Sequence, residues 1–119
     1  MKIKELILEK KIIAIVRGID QSALLPLAES LYAGGIRLME ITFDQSGACP
    51  EEKTAEGISL LSREMRGKME VGAGTVLTKK QVQLAKDAGA EYIISPDTNP
   101  EVIRKTKRLE MLSLPGAFT

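Results

Sequence analysis

Apolar runs that end in small polar or charged residues alternate along this chain with segments whose apolar positions recur at helical spacing. The clearest runs are Ile13-Ala14-Ile15-Val16-Arg17-Gly18, Leu38-Met39-Glu40-Ile41-Thr42, Val71-Gly72-Ala73-Gly74-Thr75 and Tyr92-Ile93-Ile94-Ser95-Pro96. Each precedes a helix-like segment. Repeated strand-then-helix units with chemistry at the strand ends predict a parallel α/β arrangement, whose reactive groups gather on the face where the strands finish.

Ile3, Leu6, Ile7 and Lys10 lie at helical spacing, so residues 2 to 10 are expected to form a short amphipathic helix covering the N-terminal end of a sheet or barrel. A first strand is expected at about 12 to 17. The next helix, with Leu24, Leu27, Ala28 and Leu31 on one face, can be capped by Asp20 or Ser22. Ser22 is the less strained choice, because it leaves Pro26 near the first turn. Gly34-Gly35 supply its left-handed stop. A second strand is expected at about 36 to 43, followed by a turn-rich loop and Pro50 at the first position of a helix buried through Ile58, Leu61 and Met65. A third strand at about 69 to 73 leads to Thr78-Lys79-Lys80-Gln81, a capping box, and to a helix that buries Val82, Ala85 and Ala88 and stops at Gly89. A fourth strand at 91 to 94, a helix opened by Asn99-Pro100 and a fifth run at 111 to 114 follow. Five strands and four connecting helices fit either an open doubly wound sheet or part of a barrel.

Composition narrows the chemistry. The 119 residues fall well short of the ~250 of a closed eight-stranded α/β barrel. No linker or low-complexity tract divides them, so a single incomplete domain over 1–119 is expected if the barrel reading holds. Basic and acidic residues nearly balance at a net +1, with no basic run that would track a phosphate backbone, so nucleic acid is not expected as a partner. No apolar stretch approaches the ~20 residues of a membrane span, and the opening residues lack a secretory pattern, so a cytoplasmic location is expected. Cys49 is the sole cysteine. With no histidine, imidazole catalysis and His-based zinc sites drop out. No metal and no cofactor is expected, and proton transfer falls to carboxylates, lysines, tyrosines or water.

Ile15-Val16-Arg17-Gly18, Met39-Glu40-Ile41-Thr42, the block from Val71 to Thr78, Ile94-Ser95-Pro96 and Leu114-Pro115-Gly116-Ala117-Phe118-Thr119 resemble successive blocks of the 2-keto-3-deoxy-6-phosphogluconate / 4-hydroxy-2-oxoglutarate aldolase family, in order and spacing over nearly the whole chain. The resemblance implies a (β/α)8 barrel of TIM type, of which this chain carries about the first five strands. It implies a small-molecule 2-keto acid substrate, a homo-oligomer that is trimeric in the family, and class I aldol cleavage through a lysine Schiff base. That lysine belongs to the sixth strand. The chain as given is therefore expected to be inactive, since its own lysines lie mostly in helices or at helix starts, where an ammonium is protonated and unreactive at neutral pH.

Alternation along the second strand puts Met39 and Ile41 on one face and Glu40 and Thr42 on the other, so Glu40 is expected to project into the barrel or its mouth. In the family the matching glutamate moves protons for carbinolamine formation and carbon–carbon cleavage, work suited to a partly desolvated carboxyl whose pKa is raised toward ~6–7. The plain alternative is a surface glutamate paired with Arg37. By resemblance Thr75 binds the carboxylate of pyruvate, and otherwise it merely ends a Gly-Ala-Gly turn that opens a helix. Arg17, at the first strand end, is placed either to clamp a substrate carboxylate, to orient Glu40, or to serve a structural ion pair. Pro96 resembles a residue that shapes the substrate pocket, or it stiffens a loop. Asp44 departs from the pattern, because many family members carry an arginine there that helps bind substrate.

A competing reading is a non-catalytic, small-ligand-binding flavodoxin-like sheet. A phosphoacceptor of that kind would need acids after the first strand, an aspartate ending the third and a lysine ending the fifth. Those places hold Arg17-Gly18, Gly74-Thr75 and Pro115-Gly116.

Overall fold

The computed structural model of the chain describes residues 2–117. Along it run helix α1 (Ile3–Lys10), strand β1 (Ala14–Val16), helix α2 (Gln21–Ala33), strand β2 (Leu38–Thr42), helix α3 (Glu51–Glu64), strand β3 (Glu70–Gly74), helix α4 (Lys79–Ala88), strand β4 (Tyr92–Ser95), helix α5 (Pro100–Arg108) and strand β5 (Leu112–Pro115). The strands form one sheet in the order β1-β2-β3-β4-β5, and all neighbours are parallel. Unbroken chain order is the winding of a TIM-type barrel. A doubly wound sheet reverses its strand order at a switch point, so the flavodoxin-like alternative is contradicted by the topology.

Two faces with different tasks follow from the alternation along each strand. Val16, Met39, Ile41, Val71, Ala73 and Ile93 point outward and pack with Leu24, Ala28, Ile58, Leu61, Val82, Ala85 and Val102 from the helices. The opposite, inner face carries Ile15, Glu40, Gly72 and Tyr92 across one register row, given by the pairings Ile15↔Glu40, Glu40↔Gly72 and Ala73↔Ile93. The predicted division of β2 into an apolar and a polar side is therefore realised. Ile15 is 65% exposed and Tyr92 is fully buried, so the inner face grades from open at the β1 edge to closed near β4.

Local signals set most helix ends. Thr78 accepts a hydrogen bond from the Gln81 N–H at 3.1 Å, while the Gln81 side chain accepts from the Thr78 N–H at 3.3 Å, and Gly89 at φ +102° stops α4 as expected. Thr78→Ala is expected to cost about 1 kcal/mol of stability in urea melts, since it strands the Gln81 N–H.

Other ends correct the sequence reading. Asp20, not Ser22, caps α2, accepting from the Ser22 N–H at 3.1 Å and from the Ser22 hydroxyl. Pro26 consequently lies inside the helix, where it cannot donate to the Ser22 carbonyl. Asp20 prevails because its carboxylate satisfies two donors at once. The left-handed residue after α2 is Gly35 at φ +101°, whereas Gly34 is at φ −82°. Pro50 is the cap of α3 rather than its first residue, and Met65 is its buried C-cap. Strand β1 is shorter than expected, because Lys11 turns left-handed at φ 66° to end α1 and leaves Ile12 exposed. Helix α1 is only partly amphipathic, with Ile3, Leu6 and Ile7 half-buried and no residue fully covered. No helix among the described residues is long and apolar enough to cross a membrane.

Candidate active site

Strand β2 carries Glu40 to the inner face, where its residue is only 4% exposed. Its Oε2 is buried and has no hydrogen-bond partner among the described residues. Burial raises the pKa of this carboxyl above its ordinary 4.5, and the positive charge of Arg17 opposes the rise. A carboxyl in that state can donate when protonated and accept when ionised, which is what a proton shuttle requires.

Room for it comes from the neighbouring strand. A Cβ at Gly74 would overlap Glu40 Oε2 and would approach Thr42 Cγ2 to 2.9 Å. Gly74 does not have a positive φ, so its lack of a side chain serves the carboxyl rather than a turn. The next residue, Thr75, is left-handed at φ 55°, an uncommon conformation for a β-branched residue and one that clusters at functional sites. That bend brings the Thr75 hydroxyl to the β1 end, where Arg17 Nη2 donates to Oγ1 at 3.4 Å. Glu40, Thr75 and Arg17 thus meet at the end where the strands finish.

The other sequence-predicted residues fare differently. Arg37, the suggested partner of Glu40, instead donates to the carbonyls of Tyr32 at 2.9 Å and Ile36 at 3.0 Å and stacks 4.0 Å from the Tyr32 ring centroid. Arg17 forms no ion pair among the described residues; both salt bridges there are made by Lys80, with Glu51 and Glu52. Pro96 is exposed at the end of β4, and a Cβ at Gly116 would lie 2.6 Å from its carbonyl oxygen, so it packs against the end of β5. Asp44 accepts from the Ser46 N–H at 2.9 Å, the Ser46 hydroxyl at 2.7 Å and the Cys49 N–H at 2.8 Å. Those bonds to Ser46, then to Cys49, hold its pKa below 3.8. Asp44 therefore braces the loop between β2 and α3.

A cavity of about 440 Å³ opens between the β1–α2 and β2–α3 loops, lined by Arg17, Asp20, Thr42, Asp44, Cys49 and Lys53 among others. Glu40 and Thr75 are not among its walls, so Arg17 and Thr42 form the border between cavity and carboxyl. Among the described residues no three His, Cys, Asp or Glu side chains gather closely enough to hold a metal ion.

Two features escaped the sequence reading. The Tyr92 ring lies over Gly72, where a Cβ would run into its Cε2, Cδ2 and Cζ, and its hydroxyl donates to the Met39 carbonyl at 2.7 Å. The signal was the Gly72-x-Gly74 pair itself, but only the strand register says which neighbours use the space.

A family model described as "KDPG and KHG aldolase" matches residues 3–119. The chain belongs to this family. It is 36% identical over 115 residues, 97% of its length, to the 2-dehydro-3-deoxy-phosphogluconate aldolase of Haemophilus influenzae, and 32% identical over 117 residues, also 97% of its length, to that of Pseudomonas aeruginosa. It covers 51% and 49% of those two proteins, so it spans about half the length of the curated relatives it matches. Among solved structures, the KDPG aldolase of Legionella pneumophila, with pyruvate captured as a covalent carbinolamine intermediate, superposes at a TM-score of 0.77 with 30% identity, over 90% of this chain and 48% of that one. The five parallel strands in chain order belong to a TIM-type barrel, the fold of the KDPG aldolases on which the chain superposes, and they make up part of it.

Proposed function

We propose that this chain supplies the proton-transfer and carboxylate-binding part of a class I aldolase. The polypeptide that carries it cleaves 2-keto-3-deoxy-6-phosphogluconate to pyruvate and glyceraldehyde 3-phosphate, or 4-hydroxy-2-oxoglutarate to pyruvate and glyoxylate. The observation that carries the reading is the buried, unpartnered Oε2 of Glu40 beside the Thr75 turn and Arg17.

In this scheme a lysine amine adds to the substrate C2 carbonyl, and Glu40 passes protons so that the carbinolamine hydroxyl leaves as water. Removing the proton of the C4 hydroxyl then breaks the C3–C4 bond, releasing the aldehyde and sending the electron pair into the iminium as an enamine. Protonation at C3 and hydrolysis free pyruvate and the lysine. Thr75 and Arg17 hold the pyruvate carboxylate, and Pro96 shapes the pocket rim. The lysine comes from a sixth strand: β1 to β5 carry none, and Lys80 is held protonated by hydrogen bonding and charge from Glu51, then Glu52, both of which raise its pKa. The same reading takes residues 1–119 as one barrel-type unit with no internal boundary, working in a cytoplasmic homotrimer.

Borohydride reduction in the presence of labelled pyruvate tests the lysine assignment. The 119-residue chain is expected to stay unlabelled, and stoichiometric label on one of its lysines overturns the assignment. A chimera that continues this chain with the second half of the Haemophilus influenzae aldolase is expected to be labelled and to release pyruvate from 2-keto-3-deoxy-6-phosphogluconate. A folded chimera that does neither contradicts the proposed function.

A further inference from the structure

Tyr92 is fully buried on the inner face, one strand beyond the glycine that lies beside Glu40. Parallel register partners point their side chains to the same side of a sheet, so Glu40, Gly72 and Tyr92 stand in one row. With no side chain at Gly72, the ring crosses β3 and reaches β2. Its hydroxyl then donates at 2.7 Å to the Met39 carbonyl, which belongs to the same peptide group as the Glu40 N–H.

We propose that Tyr92 is a positioning residue for Glu40: the ring walls off the carboxyl from the β4 side, and the hydroxyl pins the Met39–Glu40 peptide. This rests on the reading of Glu40 as the proton-transfer group. The charged group that bears on that carboxyl from the packed strands is Arg17 at the end of β1, while Tyr92 on β4 feels the charges of both Glu40 and Glu70 on β3. Burial first, then the charges of Glu40 and Glu70, hold the phenol well above its ordinary pKa, so it stays a neutral donor across the working range. A phenol used only as core filler would need some partner for its hydroxyl, but nothing would require that partner to be the peptide carrying Glu40.

Carbon-13 NMR titration of the glutamate carboxyls, with the Glu40 signal assigned by its loss in Glu40→Gln, tests the inference on the whole chain. In the unsubstituted protein the Glu40 inflection is expected above 4.5. Tyr92→Ala opens the wall to water and is expected to bring the inflection down toward 4.5. Tyr92→Phe keeps the ring and is expected to leave the inflection raised while the Glu40 amide exchanges with deuterium several-fold faster, the effect of losing one buried hydrogen bond. The inference is overturned by a folded Tyr92→Ala protein whose Glu40 titrates as before, or by unchanged amide exchange in Tyr92→Phe. An ordinary inflection in the unsubstituted protein overturns the reading of Glu40 itself, and the role of Tyr92 falls with it.

Discussion

Glu40→Gln is expected to make the protein more stable at pH 8 and, in the chimera that completes the barrel, to lower aldol cleavage by about 10²–10⁴-fold. The stability gain follows from the buried oxygen without a partner. Folding raises the pKa of Glu40, chiefly by burial, so between 4.5 and the folded value the native state holds more proton than the unfolded chain. Stability from this group is fully present below 4.5 and is lost as the pH rises through the folded pKa. Glutamine has the same shape and no charge to desolvate, so the variant lacks that loss. Urea melts should show the two proteins nearly equal at pH 4 and the variant ahead by about 1–3 kcal/mol at pH 8. A variant that is less stable by the same amount at both pH values would mean that the carboxyl is not desolvated. The activity loss follows because an amide cannot exchange a proton with the carbinolamine or the C4 hydroxyl.

The second large effect separates the two glycines of β3. Gly72→Ala drives a methyl group into the Tyr92 ring, which is fully buried and tied at its hydroxyl, so it has little freedom to retreat. Overpacking of this kind is expected to cost about 1–3 kcal/mol, with a lower Tm. In a Tyr92→Ala background the same substitution should cost far less, and a double-mutant cycle measures the coupling. Additive effects would show that ring and glycine do not share the space. Gly74→Ala meets chiefly the carboxyl end of Glu40, a flexible side chain, and only grazes the Thr42 methyl at 2.9 Å, so the fold should survive while Glu40 is displaced. Its expected signature in the chimera is a loss of turnover approaching that of Glu40→Gln with a smaller change in stability.

What could be read in advance divides along a physical line. Signals that act within one turn were legible: the Thr78/Gln81 box, the Gly89 stop and the Asn99-Pro100 start all form as expected, because each is decided by residues within a few positions of one another. Where two local signals competed, the outcome depended on geometry. Asp20 outcompeted Ser22 as a cap at the expense of putting Pro26 inside α2. The alternation of β2 fixed the side on which Glu40 lies, but not what surrounds it. That required the register of β3 and β4, which sets Gly74 under the carboxyl and carries the Tyr92 ring over Gly72. Arg17 was recognisable as a strand-end cation, yet its meeting with Thr75 joins residues 58 positions apart. Asp44 stood out as a departure from the family pattern, and its bonds to Ser46 and Cys49 show an acid occupied with its own loop.

A crystal structure of the chimera with pyruvate trapped on its lysine tests the central claim most directly. The expected result places the Glu40 carboxyl within hydrogen-bond reach, about 2.6–3.2 Å, of the oxygen or nitrogen on C2, with the pyruvate carboxylate on Thr75 and Arg17. A trapped adduct bound away from the Thr75 turn, with Glu40 turned from C2, contradicts it.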